Sequence, residues 1–248
     1  MHVITAASSN HFRPLLNLLA SYEHHMPASK SQISVYDLGL SDTERASLMA
    51  GGWNVIPFSF NNRPLHLNPH LPEGEGSCAW KPVLVWEATR YRPVESALWL
   101  DAGCLLHGSL AKIETVLKEV PVYTPKIGYS IERWGHPETL DWLDPVGDLR
   151  KLPCHYGGVC GFSPDGWYLL EKLKNVCLDQ SIIRPPGWAK TKHRSDQIVL
   201  SILLHRYARV SGYRVIDEKL DVSVLNDWRT AEQARKKFLS DDLSFEQG

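Results

Sequence analysis

The run "ESALWLDAGCLL", Glu95 to Leu106, drives an apolar strand straight into a carboxylate, Asp101, with Gly103 two residues on. A carboxylate at the end of a buried strand loses hydration, which backbone donors, a cation or a ligand hydroxyl must replace. The alternative is a turn-forming Asp ahead of a glycine. A second group with chemistry is "KTKHRSDQ", where Lys190, Lys192, His193 and Arg194 precede Asp196 and Gln197. Such a loop either stays a solvated surface or folds over an anionic ligand. Asp196 either complements the dipole of the helix it opens or serves as an active-site carboxylate. The third group is "HYGGVCGF", in which Gly157 and Gly158 either let the backbone approach a ligand closely or make a simple bulge. His155 beside them is a hydrogen-bonding candidate, although a lone histidine is more often a satisfied structural residue.

The elements that must position these groups follow from periodicity. "HVITAAS" reads as a strand and "FRPLLNLLASYEHH" as a helix with leucines at helical spacing. "QISVYDLGLS" is a second strand, Ser41 or Asp42 caps a helix over "TERASLMAG" that Gly51 ends, and "WNVIPFSF" is a third strand. "NNRPLHLNPHLPEGEGS" is a long loop, "AWKPVLVWEATRYR" a helix and "ALWLDAGCLL" a strand. The segment from Tyr123 to Pro153 is irregular with one short helix around Glu138 to Leu143, and a loop of that length in a compact domain is usually functional. "HYGGVCGFSP" is expected as a strand, "DGWYLLEKLKNVCLD" and "SDQIVLSILLHRYA" as helices, and "YRVID" as the last strand. Alternating strands and helices imply an α/β fold, a mainly parallel sheet with helices on both faces, whose ligands sit at the carboxyl ends of strands. One domain is expected over residues 1–225, followed by a polar helical tail over 226–248.

"LWLDAGCLL" resembles the apolar strand and DxD signature of GT-A fold nucleotide-sugar glycosyltransferases, including the family 8 type. The resemblance continues in order through "ITAASSNHF", "VYDLGLSD", "WKP", "HYGGVCGF" and "HRSDQIVLSIL", over most of residues 1–205. It implies transfer of a sugar from a nucleotide diphosphate sugar to a hydroxyl of a glycan or lipid-linked acceptor, as in surface polysaccharide synthesis. It implies Thr5, Ala6, Ser8 and Asp37 as nucleoside contacts, with Ser8 to Asn10 alternatively a helix cap. It places Lys81, Lys192, His193 and Arg194 near the phosphates or donor sugar. His155, Gly157, Gly158, Asp196 and Gln197 then face the sugar or acceptor, with Asp196 and Asp101 as the catalytic carboxylates. Glu132, Asp141 and Asp144 are further carboxylate candidates.

Gly103 departs from the signature. The last Asp of DxD binds a divalent cation, Mn2+ or Mg2+, that bridges the diphosphate. A glycine leaves Asp101 as the remaining signature ligand. Either His107, His155 or His193 replaces the lost side chain, or cations do the metal's work and the protein is metal-independent. Cys104 and Cys154 suit a hard cation poorly, and Cys154, His155 and Cys160 match no common zinc spacing.

Composition excludes little but is consistent. Lys plus Arg number 27 against 28 Asp plus Glu, a net charge of -1 that offers no polyanion-binding surface, so nucleic acid is not an expected partner. Five cysteines make an odd, scattered set, and "MHVITAASSN" carries no basic leader, so a cytoplasmic protein is expected. Arg229, Arg235, Lys236 and Lys237 in the tail allow at most peripheral membrane association, which Asp241 and Asp242 weaken. The competing readings are a non-catalytic nucleotide- or sugar-binding domain and a sugar-phosphate nucleotidyltransferase. The latter expects a Gly-rich first loop that "TAASSNHFRP" lacks.

Overall fold

The structure, a computed structural model, describes residues 1–71, 76–91, 95–188, 193–213, 215–216, 218 and 220–224. The chain divides into two compact units. The N-terminal unit comprises His2–Phe58, Trp99–Lys112 and Lys219–Gly248, and the central unit comprises Met1, Ser59–Leu98 and Ile113–Glu218.

In the N-terminal unit three parallel strands lie in the order β3-β2-β1. Strand β1 (His2–Ala7) runs beside β2 (Ile33–Asp37), with Val3 opposite Ile33 and Ala7 opposite Asp37, and β2 runs beside β3 (Asn54–Pro57). Every residue of β1 and β2 is buried, so these strands read as continuous rather than alternating apolar runs. Helix α1 (Phe12–His25) buries Leu15, Leu18, Leu19 and Tyr22, the stripe its leucine spacing predicts. Helix α2 (Asp42–Ala50) begins at a capping box, in which Glu44 N–H donates to Ser41 Oγ and Ser41 N–H donates to the Glu44 carboxylate.

The chain passes from the central to the N-terminal unit within β4 (Ala97–Leu100). The single strand expected over "ALWLDAGCLL" is two. After Leu100 a turn closes with Cys104 N–H donating to Asp101 O at 2.9 Å, and β5 (Cys104–Leu106) starts beyond it. Helix α4 (Ala111–Glu119), preceded by α3 (Trp80–Tyr91), returns the chain to the central unit.

There β6 (Val122–Tyr123) is followed by β7 (Lys126–Ser130), α5 (Ile131–Trp134) and α6 (Pro137–Leu143), so the segment expected as irregular carries a strand and two short helices. The strand expected over "HYGGVCGFSP" is also split by a turn at its glycines. Strand β8 (Pro153–His155) pairs antiparallel with β7, while β9 (Val159–Phe162) pairs antiparallel with β6. Helices α7 (Trp167–Cys177), α8 (Gln180–Ile183) and α9 (Ser195–Ser211) follow, and α7 packs against both α3 and α9.

The strand expected at "YRVID" is absent from its described residues, Tyr213, Val215 and Ile216. The chain there is held by a side chain instead of a ladder, because the Tyr213 hydroxyl donates to Val122 O at 2.5 Å. The last strand is β10 (Val222–Val224), antiparallel to β5 in the N-terminal unit. The tail over 226–248, with Arg229, Arg235, Lys236 and Lys237, lies outside the described residues, as do Lys190 and Lys192.

Candidate active site

At the carboxyl ends of β1 and β2 the N-terminal unit gathers four of the expected nucleoside contacts. Leu38 N–H donates to Ala7 O at 2.9 Å and Ser9 N–H to Gly39 O at 3.2 Å, which ties the two strand ends together. Thr5 is fully buried, and its hydroxyl has no hydrogen-bond partner among the described residues. Ala6 is buried beside it, and Ser8 donates to Asn10 Oδ1 at 2.6 Å without capping a helix.

Asp37 is largely spent on its own turn. One carboxylate oxygen accepts from Gly39 N–H at 2.8 Å and Leu40 N–H at 2.7 Å, the other from Arg45 Nε at 2.6 Å. Burial opposes ionisation of this carboxyl, but those backbone donors and the Arg45 guanidinium outweigh it and hold the group below the usual carboxylate range. Gly39 at φ 124° makes the turn, a conformation in which a side chain would be strained.

Past β4, Trp99 Nε1 donates to Asp101 Oδ1 at 2.8 Å. The carboxylate that the sequence aims out of the strand is therefore oriented by an indole two residues before it. Gly103 lies in the turn and supplies no side chain.

In the central unit the structure brings together what the sequence kept 40 residues apart, as Gly157 N–H and Gln197 Oε1 stand 3.5 Å apart. A Cβ at Gly157 would lie 3.3 Å from Asp196 Oδ2 and 3.5 Å from Gln197 Cβ, so the backbone there is pressed against the first turn of α9. The Gln197 amide also donates from Nε2 to Cys154 Sγ at 3.3 Å. Beneath this pair Ser201 donates to Gln197 O at 2.7 Å and accepts from His155 N–H at 2.8 Å. His155 itself is fully buried, with its ring 4.9 Å from that of His205, so it packs under the site.

Lys81, in the first turn of α3, and Asp196 both act electrostatically on the fully buried Cys160. Burial, reinforced by Asp196 and opposed by Lys81, pushes that thiol far above its ordinary range. Cys154 and Cys177 are raised as well, by burial first, which leaves all three as thiols at neutral pH. Gly158 is buried next to Gly157.

His193 corrects the expectation of a loop cation. It is 2% exposed, and His136 N–H donates to its Nδ1 at 3.0 Å. Its Nδ1 also lies 3.2 Å from Trp134 O and its Nε2 faces Thr139 Oγ1 at 3.4 Å, while Thr139 donates onward to Ile182 O at 2.6 Å. Burial lowers its pKa to about 4, the Trp134 carbonyl opposing and His136 adding to the shift. His193 is a neutral clasp between α5 and the start of α9. Arg194 is exposed, and its guanidinium lies 4.7 Å from the centre of the Trp134 ring. The other carboxylate candidates are engaged, since Glu132 pairs with Lys151, Asp141 with Arg150, and buried Asp144 accepts from Leu149 N–H. Residues that the sequence reading passed over are Tyr129, Arg133 and Trp134, whose signal lay in the aromatic and basic alternation of "YSIERW".

No family model matches the sequence, and no curated protein matches it. Among solved structures the chain is similar to the galactosyltransferase LgtC in complex with donor and acceptor sugar analogues, with a TM-score of 0.57 and 18% identity over 92% of this chain and 87% of that one. It is similar to mouse xyloside xylosyltransferase 1 in its apo form, at 0.56 and 9% identity over 91% and 97%. A third is core-mannan synthase A of Aspergillus fumigatus in a Mn/GDP form, at 0.52 and 9% identity over 82% and 68%. The fold is α/β and of the GT-A type.

The Mn/GDP form of that synthase poses the question of a cation here. Among the described residues no three His, Cys, Asp or Glu side chains gather as a coordination set. One Asp101 oxygen is bonded to an indole, Gly103 offers none, and His107 is bonded to Ser223 Oγ at 2.6 Å. The described residues do not fit a divalent cation of the DxD kind.

Proposed function

We propose that this chain is a glycosyltransferase that moves a sugar from a nucleotide diphosphate sugar to a hydroxyl of a glycan or lipid-linked acceptor in surface polysaccharide synthesis. The observation that carries the reading is the Asp196 and Gln197 pair at the head of α9, set against Gly157 in a chain of GT-A fold. Asp196 supplies the carboxylate facing the reacting centre, and Gln197, its amide fixed between Gly157 and Cys154, orients the donor sugar. The acceptor oxygen bonds to the anomeric carbon as the bond to the leaving phosphate breaks, and the hydroxyl proton leaves for a carboxylate or the departing diphosphate. Lys81 offsets charge on that diphosphate, with Lys192, outside the described residues, as its expected partner. Thr5, with an unsatisfied buried hydroxyl, and Ala6 and Ser8 at the end of β1 receive the nucleoside. No helix among the described residues is long and apolar enough to cross a membrane, which is compatible with work in the cytoplasm on a soluble or peripherally presented acceptor.

Calorimetric titration of the EDTA-treated protein with a panel of nucleoside diphosphates, with and without manganese, tests the donor site. One nucleotide should bind, and manganese should change its affinity little. Asp196→Asn should keep that affinity and lower turnover of the matching nucleotide sugar by about 100-fold or more. A folded sample that binds no nucleotide refutes the reading.

A further inference from the structure

Among the described residues Arg90 stacks on Trp86 and Arg184 on Trp188, whereas Arg133 and Arg194 share a single aromatic cluster. Arg45, Arg63, Arg150 and Arg209 each meet an Asp or Glu carboxylate. Arg133 and Arg194 meet aromatic rings instead, and neither makes a carboxylate ion pair among the described residues. The Arg133 guanidinium carbon lies 4.8 Å from the centre of the Tyr129 ring and 6.0 Å from that of Trp134, while Arg194 sits 4.7 Å from the same Trp134 ring. Tyr129 and Trp134 meet edge to face at 6.1 Å, and Tyr129 is 47% exposed. The intervening carboxylate of Glu132 is already taken by Lys151 at 2.7 Å.

The cluster is also anchored. Ile131 N–H donates to Leu152 O and Glu132 N–H to Arg150 O, each at 3.0 Å, and Arg194 N–H donates to Trp134 O at 3.1 Å. Two guanidiniums thus stand exposed and stacked on aromatic faces, with most of their N–H donors uncommitted. Stacking fixes the plane of a guanidinium but leaves its fork open, which favours a planar or tetrahedral oxyanion. The exposed aromatic surface between them suits the apolar face of a ring that carries that oxyanion. Arg194 is two residues from Asp196, so their Cα atoms are within about 7 Å.

We propose that Tyr129, Arg133, Trp134 and Arg194 form an acceptor-binding platform that selects an acidic saccharide, one bearing a carboxylate or phosphate, over its neutral counterpart. The proposal rests on the glycosyltransferase reading and adds the charge class of the acceptor.

The test measures binding of two matched pairs by NMR titration: 3′-sialyllactose against lactose, and glucose 6-phosphate against glucose. At least one acidic member should bind about tenfold or more tightly than its neutral partner, the preference should shrink as salt is raised, and Arg133→Gln with Arg194→Gln should abolish it. Arg133→Lys with Arg194→Lys, which keeps charge but not the fork, should restore only part of it. Circular dichroism of each variant checks that the exposed substitutions leave the fold intact. Equal binding of acidic and neutral members, no binding of any of the four, or a preference unaffected by the glutamine variant overturns the proposal. Loss of nucleoside diphosphate binding in that variant, with no acidic preference in the parent, reassigns the arginines to the donor. Parent protein that binds a nucleoside diphosphate yet shows no acidic preference refutes the platform alone, whereas parent protein that binds no nucleotide refutes the reading beneath it.

Discussion

Gly157 leaves room beside Asp196 that a side chain would crowd. Gly157→Ala would put a methyl 3.3 Å from Asp196 Oδ2, closer than such contacts usually settle, and the carboxylate is what must move. Turnover is expected to fall about tenfold or more while the melting temperature changes by no more than about 2 °C, because catalysis is more sensitive than packing to a displaced carboxylate. Measuring kcat beside thermal unfolding separates the two. His193 makes a second prediction. Its pKa is about 4 in the folded protein against 6.5 unfolded, so between those values the unfolded chain binds more protons. The stabilisation is complete above pH 6.5 and is lost as pH falls toward 4, on the order of 3 kcal/mol in all. Protonation would also break the donation from His136 N–H to Nδ1. His66, lowered mainly by its own burial, adds in the same direction. Denaturant unfolding at pH 7 and pH 4.5 should show a loss that His193→Gln reduces; equal slopes in the two proteins would refute it. Sequence pattern marked Gly157, Asp196 and Gln197 because a helix start and a glycine pair are local signals, whereas their adjacency is visible only in the structure. The pattern put His193 on the wrong side of the surface, because whether an imidazole points in or out depends on Trp134, His136 and Thr139, residues more than 50 positions away.

The elements fall into those whose signals are local and those set by distant partners. Helix α1 runs over the residues its leucine spacing marks, and α2 starts at the Ser41 cap. Ser41→Ala removes one half of the capping box and should cost about 1 kcal/mol, a drop of about 2–4 °C in melting temperature by calorimetry. Ser41→Asn should recover most of it. By contrast the break between β4 and β5 depends on a turn whose only sequence mark is Asp101-Ala102-Gly103, set in a run otherwise apolar enough to read as one strand. The glycine pair of "HYGG" marked a turn as much as a strand, and β8 and β9 part there to pair with different partners. Strand β10 was missed in favour of "YRVID" because three residues, Val222–Val224, carry too short a pattern, and their pairing is specified by β5.

For the molecule as a whole, that pairing is the test of architecture. Val222 is 4% exposed opposite Leu106, Lys112 meets Asp221 at 2.9 Å, and His107 N–H donates to Asp221 O at 2.8 Å. Ending the chain after residue 220 would leave β5 with an open edge and uncover apolar side chains. Lower soluble yield and faster limited proteolysis within residues 99–112 are the expected outcomes, against unchanged behaviour if β10 is incidental. The same pairing bears on how the protein is made. The N-terminal unit begins at His2, yet its last strand ends at Val224, so a ribosome must finish more than two hundred residues before the first-made unit can close. At about 5–20 residues per second, β5 must wait about six seconds or longer in the growing chain for the strand that covers its edge.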